Sequence, residues 1–369
     1  MLTAINMKTE KLIEKMREKF GIPYIDVICC KEYHELFRYT SGTIEKGNKR
    51  LRMFSCSKVI TSVVALRLIE EGKLSLDDKV FHYLPEVKNA FILNENNQRI
   101  VVGDQITVYQ LFTMTAGFTY NVKTHPITEL ASKSEGRAQL RDFIAKFVET
   151  PLSFVPGTRF QYSLCHDILA AVVEIITKKP FSQYVEEVIF KPLGMKDSTF
   201  NNSSSQLADL FLADVDGGIS KIENQNSLLP TNAYESGGAG LISTVDDYIL
   251  FANALACKGV AKNGYRVLKE ETLKLLATER FKSLSIDNGF TCVQGDEYGY
   301  GLGVRVRTVE TEWGLPKGEF GWDGAAGSYV MVEPKQKVAI FIGMHVKNWP
   351  VFFSGKHLEI VENIYKEFF

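Results

Sequence analysis

The sequence predicts an α+β fold, an α/β sandwich. In it, one antiparallel sheet drawn from both termini is flanked by helices and interrupted by a mainly helical domain. Three observations predict it: strand patterns cluster at the two ends of the chain, helical periodicity fills the middle, and the chain outruns a single core. One hydrophobic core stops growing at about 250 to 300 residues, so 369 residues that are 45% hydrophobic imply two domains or one large insertion. The expected division is a discontinuous sheet domain, 1–80 with 236–369, and a helical insertion, 81–235.

From the N-terminus, Leu12, Ile13, Met16 and Phe20 share one face of a helix over residues 8–20. YIDVICC (24–30) and HELFRYTSG (34–42) read as strands joined by a short turn, a hairpin. A long apolar helix follows at 57–71, and Gly72 suits its left-handed end. Between 80 and 235 no pair of strands stands out. Helices are expected at 107–115, at 136–149 before Pro151, and at 163–179 before Pro180, with an exposed loop at 201–206. A helix over 243–257 carries Thr244 and Asp247 in capping-box spacing. Strands return at 301–309, 326–334 and 337–346, and a helix over 352–368 closes the chain. A cleft is expected where the sheet and the insertion meet.

The formal net charge is −1 with acids and bases intermixed, which argues against nucleic acid or an anionic membrane as a partner. A small neutral or weakly charged molecule is the simpler expectation. Residues 1–20 carry charge throughout, unlike a secretory signal, and no apolar run is long enough to span a bilayer. Six cysteines without a C-x-x-C pair (Cys29, Cys30, Cys56, Cys165, Cys257, Cys292) fit reduced thiols. The expectation is a cytoplasmic protein without metal or cofactor; nothing in the sequence speaks to oligomeric state.

The chemistry starts from FSCSKVITSVVALRLIEEG, residues 54–72. Val59, Ile60, Val63, Val64, Leu66 and Ile69 cover most of the helix surface and imply burial, yet Lys58 sits among them. Lysine is almost never fully buried without a partner or a task. Ser55 stands three positions earlier, on the same helical face and within hydrogen-bond reach. A serine hydroxyl needs an adjacent base to become a nucleophile. A lysine held in an apolar setting loses solvation of its charged form and can be that base. Composition alone supplies roughly one or two S-x-x-K tetrads in a chain this long, and Ser55 begins the only one here.

Two further segments carry candidates. VPGTRFQYSLCHDILAAVVE (155–174) holds Tyr162 at a helix entrance, where an ammonium nearby would ease its proton transfer, although a lone tyrosine is more often plain packing. EFGWDGAAGSYVMVEP (319–334) holds Gly321, Gly324 and Gly327, either a simple turn or a place where backbone approaches a ligand and donates to an oxyanion. There is no G-x-S-x-G elbow, H-E-x-x-H or phosphate loop, and no histidine stands at a ligand spacing. His166, one turn after Tyr162, reads as structural or as a support to the site.

Five ordered segments together resemble the serine β-lactamase-related superfamily, which includes class C β-lactamases, penicillin-binding D,D-peptidases and carboxylesterases. They are FSCSKVITSVVALRLIEEGKLSLDDKVFHYLPE, ITVYQLFTMTAGF, PGTRFQYSL, SGGAGLISTVDDYILFA and GWDGAAGSYVMVEP. The resemblance implies the β-lactamase/D,D-peptidase fold, with Ser55 acylated, Lys58 as its base and Tyr162 exchanging protons with serine and leaving group. It implies an oxyanion hole from the amides of Ser55 and Ala325. Two departures narrow it. Leu164 stands where Y-x-N has asparagine, and Trp322-Asp323-Gly324 replaces K-[ST]-G, removing the lysine that meets a β-lactam carboxylate. Trp322, Asp323, Gly324 and Leu164 are thus the expected substrate-binding residues, and the variants resemble the carboxylesterase branch. The implied activity is hydrolysis of small carboxylic esters through an acyl-enzyme. The alternatives are weak β-lactamase or D-alanyl-D-alanine peptidase activity, or a catalytically degenerate binding protein.

Overall fold

The computed structural model describes residues 8–43, 49–202, 206–214, 216, 218–281, 297–348 and 356–369. Helix α1 (Lys8–Lys19) leads into strands β1 (Tyr24–Lys31) and β2 (His34–Gly42), the expected hairpin, and a two-residue strand β3 (Leu51–Arg52). Helix α2 (Ser57–Glu70) follows, and Gly72 takes a φ of +67° just beyond its end. The middle of the chain holds β4 (Phe91–Leu93), β5 (Arg99–Val101), α3 (Val108–Phe112), α4 (His125–Lys133), α5 (Leu140–Phe147), α6 (Cys165–Thr177), α7 (Phe181–Val185) and α8 (Lys191–Leu193). It ends with β6 (Leu210–Ala213) and β7 (Ile219–Ile222). The last part holds β8 (Ile242–Ser243), α9 (Val245–Ala256), α10 (Glu270–Leu276), β9 (Tyr298–Tyr300), β10 (Arg305–Arg307), β11 (Phe320–Asp323), β12 (Tyr329–Glu333), β13 (Val338–Gly343), β14 (Val346–Lys347) and α11 (Lys356–Phe368).

The main sheet has seven strands in the order β2-β1-β13-β12-β11-β10-β9, every neighbouring pair antiparallel. Both chain ends supply it, and the pleat divides its residues between two layers. Phe320, Trp322, Val330, Val332, Ala339 and Phe341 face a core shared with α2, α6 and α9. Tyr329, Met331, Val338, Ile340 and Ile342 face the opposite way, under Ile13 and Met16 of α1 and Ile360, Val361 and Ile364 of α11. The result is helix on sheet on helix. Eleven of the fourteen residues of α2 are buried, which is what its all-round apolar sequence requires.

Several expected elements take a different form. Residues 80–235 do contain strand pairs, β4 with β5 and β6 with β7, all antiparallel. The β4–β5 hairpin hides from periodicity because every residue of β5 is exposed. Its turn is held instead by Asn94, whose Oδ1 accepts the amides of Asn96 and Gln98. The strand expected over 301–309 is a hairpin, β9 and β10, folded through Gly303 at φ +86°. The glycine-rich stretch before β12 is itself a strand, β11. Gly321 is needed inside it because a Cβ there would stand 1.9 Å from the Val330 carbonyl oxygen. The Thr244–Asp247 pair makes only half a capping box. Thr244 accepts the Asp247 amide, while the Asp247 carboxylate turns to the Asp197 amide and the Ser198 hydroxyl. The helix expected from 136 starts at Leu140, where Gln139 and Asp142 cap each other reciprocally. Residues 203–205 of the expected loop, 352–355 of the last helix and Cys292 lie outside the described residues. No helix among the described residues is long and apolar enough to cross a membrane.

Candidate active site

Ser55 sits in a single 3-10 turn, Phe54–Cys56, that leads directly into α2. The residue before it, Phe54, has a φ of +44°, a left-handed conformation that costs about 1 to 3 kcal/mol in a bulky residue. The surroundings hold it there. Met53 donates its amide to Leu241, Ser57 Oγ donates to the Phe54 carbonyl and accepts the Leu241 amide, and Tyr248 Oη donates to the Cys56 carbonyl. On the other side Gly324 presses on Met53, where a Cβ would stand 2.4 Å from its carbonyl oxygen. Ser55 is therefore presented on a rigid corner between β11 and the segment 236–241, 7% exposed.

Lys58 is fully buried, and its Nζ lies 3.1 Å from Ser55 Oγ, 2.8 Å from Tyr120 Oη and 2.6 Å from the Gly238 carbonyl oxygen. Three acceptors match the three protons of an ammonium. The carbonyl can only accept, so on deprotonation the lone pair falls to one of the two hydroxyl partners. Burial draws the Lys58 pKa down to about 7, against an opposing pull from Asp167. At neutral pH a large fraction of the amine is free and faces a serine hydroxyl.

Asp167 lies in the first turn of α6, fully buried, and neither of its carboxylate oxygens has a hydrogen bond of normal length. Burial raises its pKa, while Ser236, Lys58, Tyr234 and the Gly238 amide favour the charged form from close range. Gly238 separates it from Lys58. A Cβ on that glycine would stand 2.7 Å from Asp167 Oδ2, 3.1 Å from Tyr120 Oη and 3.4 Å from Lys58 Nζ.

Tyr162 comes from the segment just before α6, and its Oη accepts the indole Nε1–H of Trp322 at 2.9 Å. The two rings stack with centroids 5.5 Å apart, the Tyr120 ring lies 5.5 Å from that of Tyr162, and Tyr300 meets Trp322 edge-on at 5.2 Å. Lys58 Nζ stands 4.5 Å from the Tyr162 ring centre. Burial of the phenol pushes its pKa far above the ordinary value, outweighing the hydrogen bonds to Ser55 and Trp322 that lower it. Tyr162 is thus a neutral hydroxyl whose own proton is free to point at Ser55.

The other expected residues divide. Trp322 reaches this cluster, but the strand alternation puts the next side chain, Asp323, on the opposite face. There its carboxylate takes the Arg305 Nη1 at 2.8 Å. Arg305 also contacts Glu319 at 3.3 Å and donates to the Val330 carbonyl, so Asp323 belongs to a buried ion-pair network beneath the site. Gly324 and Ala325 stand at the Ser55 corner, Ala325 packing with Phe54 and Leu210. Leu164 is 4% exposed in the main core, and its amide donates to the Thr119 carbonyl, tying down the segment that carries Tyr120. His166 is buried beside Ser62, Nε2 to Oγ 3.0 Å, with its pKa well below the usual value through burial; it makes no contact with Ser55.

The family model for Beta-lactamase matches residues 35–361. The chain belongs to the beta-lactamase family. Among relatives, an uncharacterised protein of Mycobacterium tuberculosis is 27% identical over 311 residues, 80% of this chain and 77% of that one. Esterase EstB of Burkholderia gladioli is 29% identical over 254 residues, 60% of this chain and 62% of that one. Among solved structures, the hydrolase EstCE1, described as having promiscuous acyltransferase activity, superposes with a TM-score of 0.77 at 21% identity over 97% of each chain. Unliganded simvastatin synthase (LovD) of Aspergillus terreus gives 0.77 at 20% identity over 98% of each. These two likenesses concern the fold.

Within that family fold, three participants were not singled out in the sequence. Tyr120 sits in a loop 62 positions after Lys58, and only its nearness to the ITVYQLFTMTAGF segment marked the region. Gly238 lay inside SGGAGLISTVDDYILFA, whose glycines let that turn pass α6: a Cβ on Gly237 would stand 2.5 Å from the His166 carbonyl oxygen. Asp167 reads from sequence as an ordinary acid in the first turn of a helix.

Proposed function

We propose that this chain is a serine hydrolase of esterase type that works through an acyl-enzyme on Ser55. The observation that carries the proposal is a fully buried lysine amine, drawn down to a pKa of about 7, 3.1 Å from a serine hydroxyl. Neutral Lys58 takes the Ser55 proton as Oγ attacks the ester carbonyl. The amides of Ser55 and Ala325 receive the developing oxyanion. Tyr162, held neutral and oriented by the Trp322 indole, passes a proton to the departing alkoxide, and its hydroxyl is replenished from Lys58. Water then attacks the acyl-enzyme by the reverse route.

Small carboxylic esters suit the site for two reasons. The wall beside Ser55 is aromatic, formed by Tyr120, Tyr162, Trp322 and Tyr300. The position of the K-[ST]-G lysine is held by Trp322, and Asp323 is committed to Arg305, which supports an esterase over a β-lactam specialist. The kinship with EstB of Burkholderia gladioli supports the same reading. Among the described residues four buried thiols and one half-buried one are free, which supports a reducing, cytoplasmic setting.

A fluorophosphonate probe tests the mechanism: it should label the wild type and fail to label Ser55→Ala, and hydrolysis of short p-nitrophenyl esters should vanish in Lys58→Ala. Equal labelling of Ser55→Ala would end the proposal. Rapid turnover of a penicillin would overturn the substrate preference while leaving the nucleophile in place.

A further inference from the structure

A surface cavity of about 430 Å³ opens at the end of the sheet away from Ser55, where the β1–β2 turn, the β12–β13 turn and the chain between α9 and α10 meet. That volume falls in the range of small-molecule sites. Tyr329, just past the turn that Gly324 presses on Met53, pairs with Ile342, whereas Lys337 of the cavity wall comes just before β13 begins. Five residues of strand separate those two levels, about 17 Å. A small molecule in this cavity is therefore not the ester that Ser55 attacks.

The walls are unevenly charged. Lys258, Lys262, Arg266 and Lys337 line the cavity with Glu32 and Glu270, four cations to two carboxylates. Both carboxylates are already engaged: Glu32 takes Lys337 at 2.6 Å, and Glu270 takes Lys258 at 3.3 Å and Lys274, on its own helix, at 3.0 Å. Lys262 and Arg266 have no carboxylate partner among the described residues, and the Arg266 guanidinium reaches only the neutral Leu268 carbonyl, at 3.5 Å. Two positive charges are left over. The loop that carries them is fixed: Val260 bridges Arg266 antiparallel, Ala261 and Val267 donate their amides to Tyr265 and Gly259, and Arg67 of α2 donates to the Arg266 and Val267 carbonyls. Elsewhere in the wall Glu32, Tyr33, Lys258 and Lys337 hold φ values of +49°, +68°, +58° and +60°. Glycine is the relaxed residue at such a φ, yet each of these four positions carries a side chain that lines the cavity.

Unpaired cations on a fixed loop are stabilised by an anion that enters the cavity, and little ordering of the protein opposes its binding. A guanidinium fork with an ammonium in the same wall suits a group with several oxygens and two negative charges. We infer that this cavity is a binding site for a small dianion, a phosphate group or a dicarboxylate, with Lys262 and Arg266 as its charge partners. The site is separate from the Ser55 chemistry and stands whether or not that serine hydrolyses esters.

The test is isothermal titration calorimetry of the full chain in mildly alkaline, low-salt buffer, with inorganic phosphate, succinate and the monoanion acetate as titrants. Phosphate, succinate or both should bind saturably, one per chain, with a Kd of about 1 mM, weakening as salt is added, and acetate should bind at least about tenfold more weakly. Phosphate alone would assign a phosphate ligand, and succinate alone a dicarboxylate. Each of Lys262→Gln and Arg266→Gln should weaken binding about fivefold, and the double variant should lose saturation. Lys262→Glu, which reverses a charge at an exposed position, should abolish binding too and serves if Arg266→Gln disturbs the loop. The absence of saturable binding by either dianion, acetate binding as tightly as they do, or unchanged binding in the double variant and in Lys262→Glu overturns the inference.

Discussion

Asp167→Asn is the sharpest probe of how the base is tuned. Asp167 Oδ2 and Lys58 Nζ lie 2.7 and 3.4 Å from one point, the Cβ position of Gly238, so they are at most about 6 Å apart. At that separation and an effective dielectric constant of about 20, the carboxylate favours the ammonium by about 3 kcal/mol, or about two pKa units. Burial pulls the other way and wins, leaving Lys58 at about 7 rather than at 10.5. Activity requires the free amine, so kcat/KM for a neutral ester should rise with pH through about 7 in the wild type. Replacing the carboxylate by an isosteric amide removes the largest attraction that favours the ammonium and leaves the desolvation, so the Lys58 pKa falls. The acidic limb should move to lower pH by about one to two units, and the variant should gain activity relative to its own plateau under acidic conditions. The assay is the pH profile of p-nitrophenyl acetate hydrolysis at saturating and limiting substrate, with the fluorophosphonate labelling rate as an independent readout. A limb that stays in place in a folded variant would refute the electrostatic coupling, because a merely structural Asp167 would lower the plateau without shifting the limb.

Two other expectations concern the strand that carries Trp322. Trp322→Phe keeps the stack on Tyr162 but removes the Nε1–H that orients its hydroxyl, so kcat should fall about five- to tenfold with little change in KM, measured by steady-state kinetics. Arg305→Met removes one of the two arginines paired with the fully buried Glu319, leaving Arg307 at 3.7 Å, and takes from Asp323 its 2.8 Å ion pair; it should cost about 3 kcal/mol of unfolding free energy, read by urea denaturation at neutral pH. Burial already raises the Glu319 pKa, and without Arg305 it should rise further, so that penalty should shrink as the medium is made acidic and the carboxyl protonates.

What could be read from the sequence was whatever burial writes into a pattern. β1, β12 and β13 are almost wholly buried and show as apolar runs, and α2 shows as a helix apolar on every side. β5 has no buried residue, so nothing in its side chains reports the hairpin. β11 was masked by a different effect. Gly321 and Gly324 read as turn residues, yet each is there because another backbone passes within contact distance, the Val330 carbonyl for one and the Met53 carbonyl for the other. A glycine chosen for close approach and a glycine chosen for positive φ are the same letter, and only the fold separates them.

The site divides along the same line. Ser55 and Lys58 are legible because a helix repeats every 3.6 residues and fixes their distance locally. Tyr162 and Trp322 are legible only as parts of ordered segments, since nothing local says that an indole on β11 will meet a phenol before α6. Tyr120 and Asp167 are not legible at all, although the need for them is. A lysine in an apolar helix costs several kcal/mol if charged and alone, so its burial demands hydrogen-bond acceptors and a counter-charge from elsewhere in the chain. The sequence states that demand at residue 58 and leaves the reply to the tertiary fold, which answers with Tyr120 from a loop, Gly238 from a turn and Asp167 from a helix start. Because Asp167 acts through space and not through a hydrogen bond, its influence should survive small shifts of α6 that would break a direct contact. A base tuned this way keeps its pKa while the hydroxyls around it exchange partners during acylation.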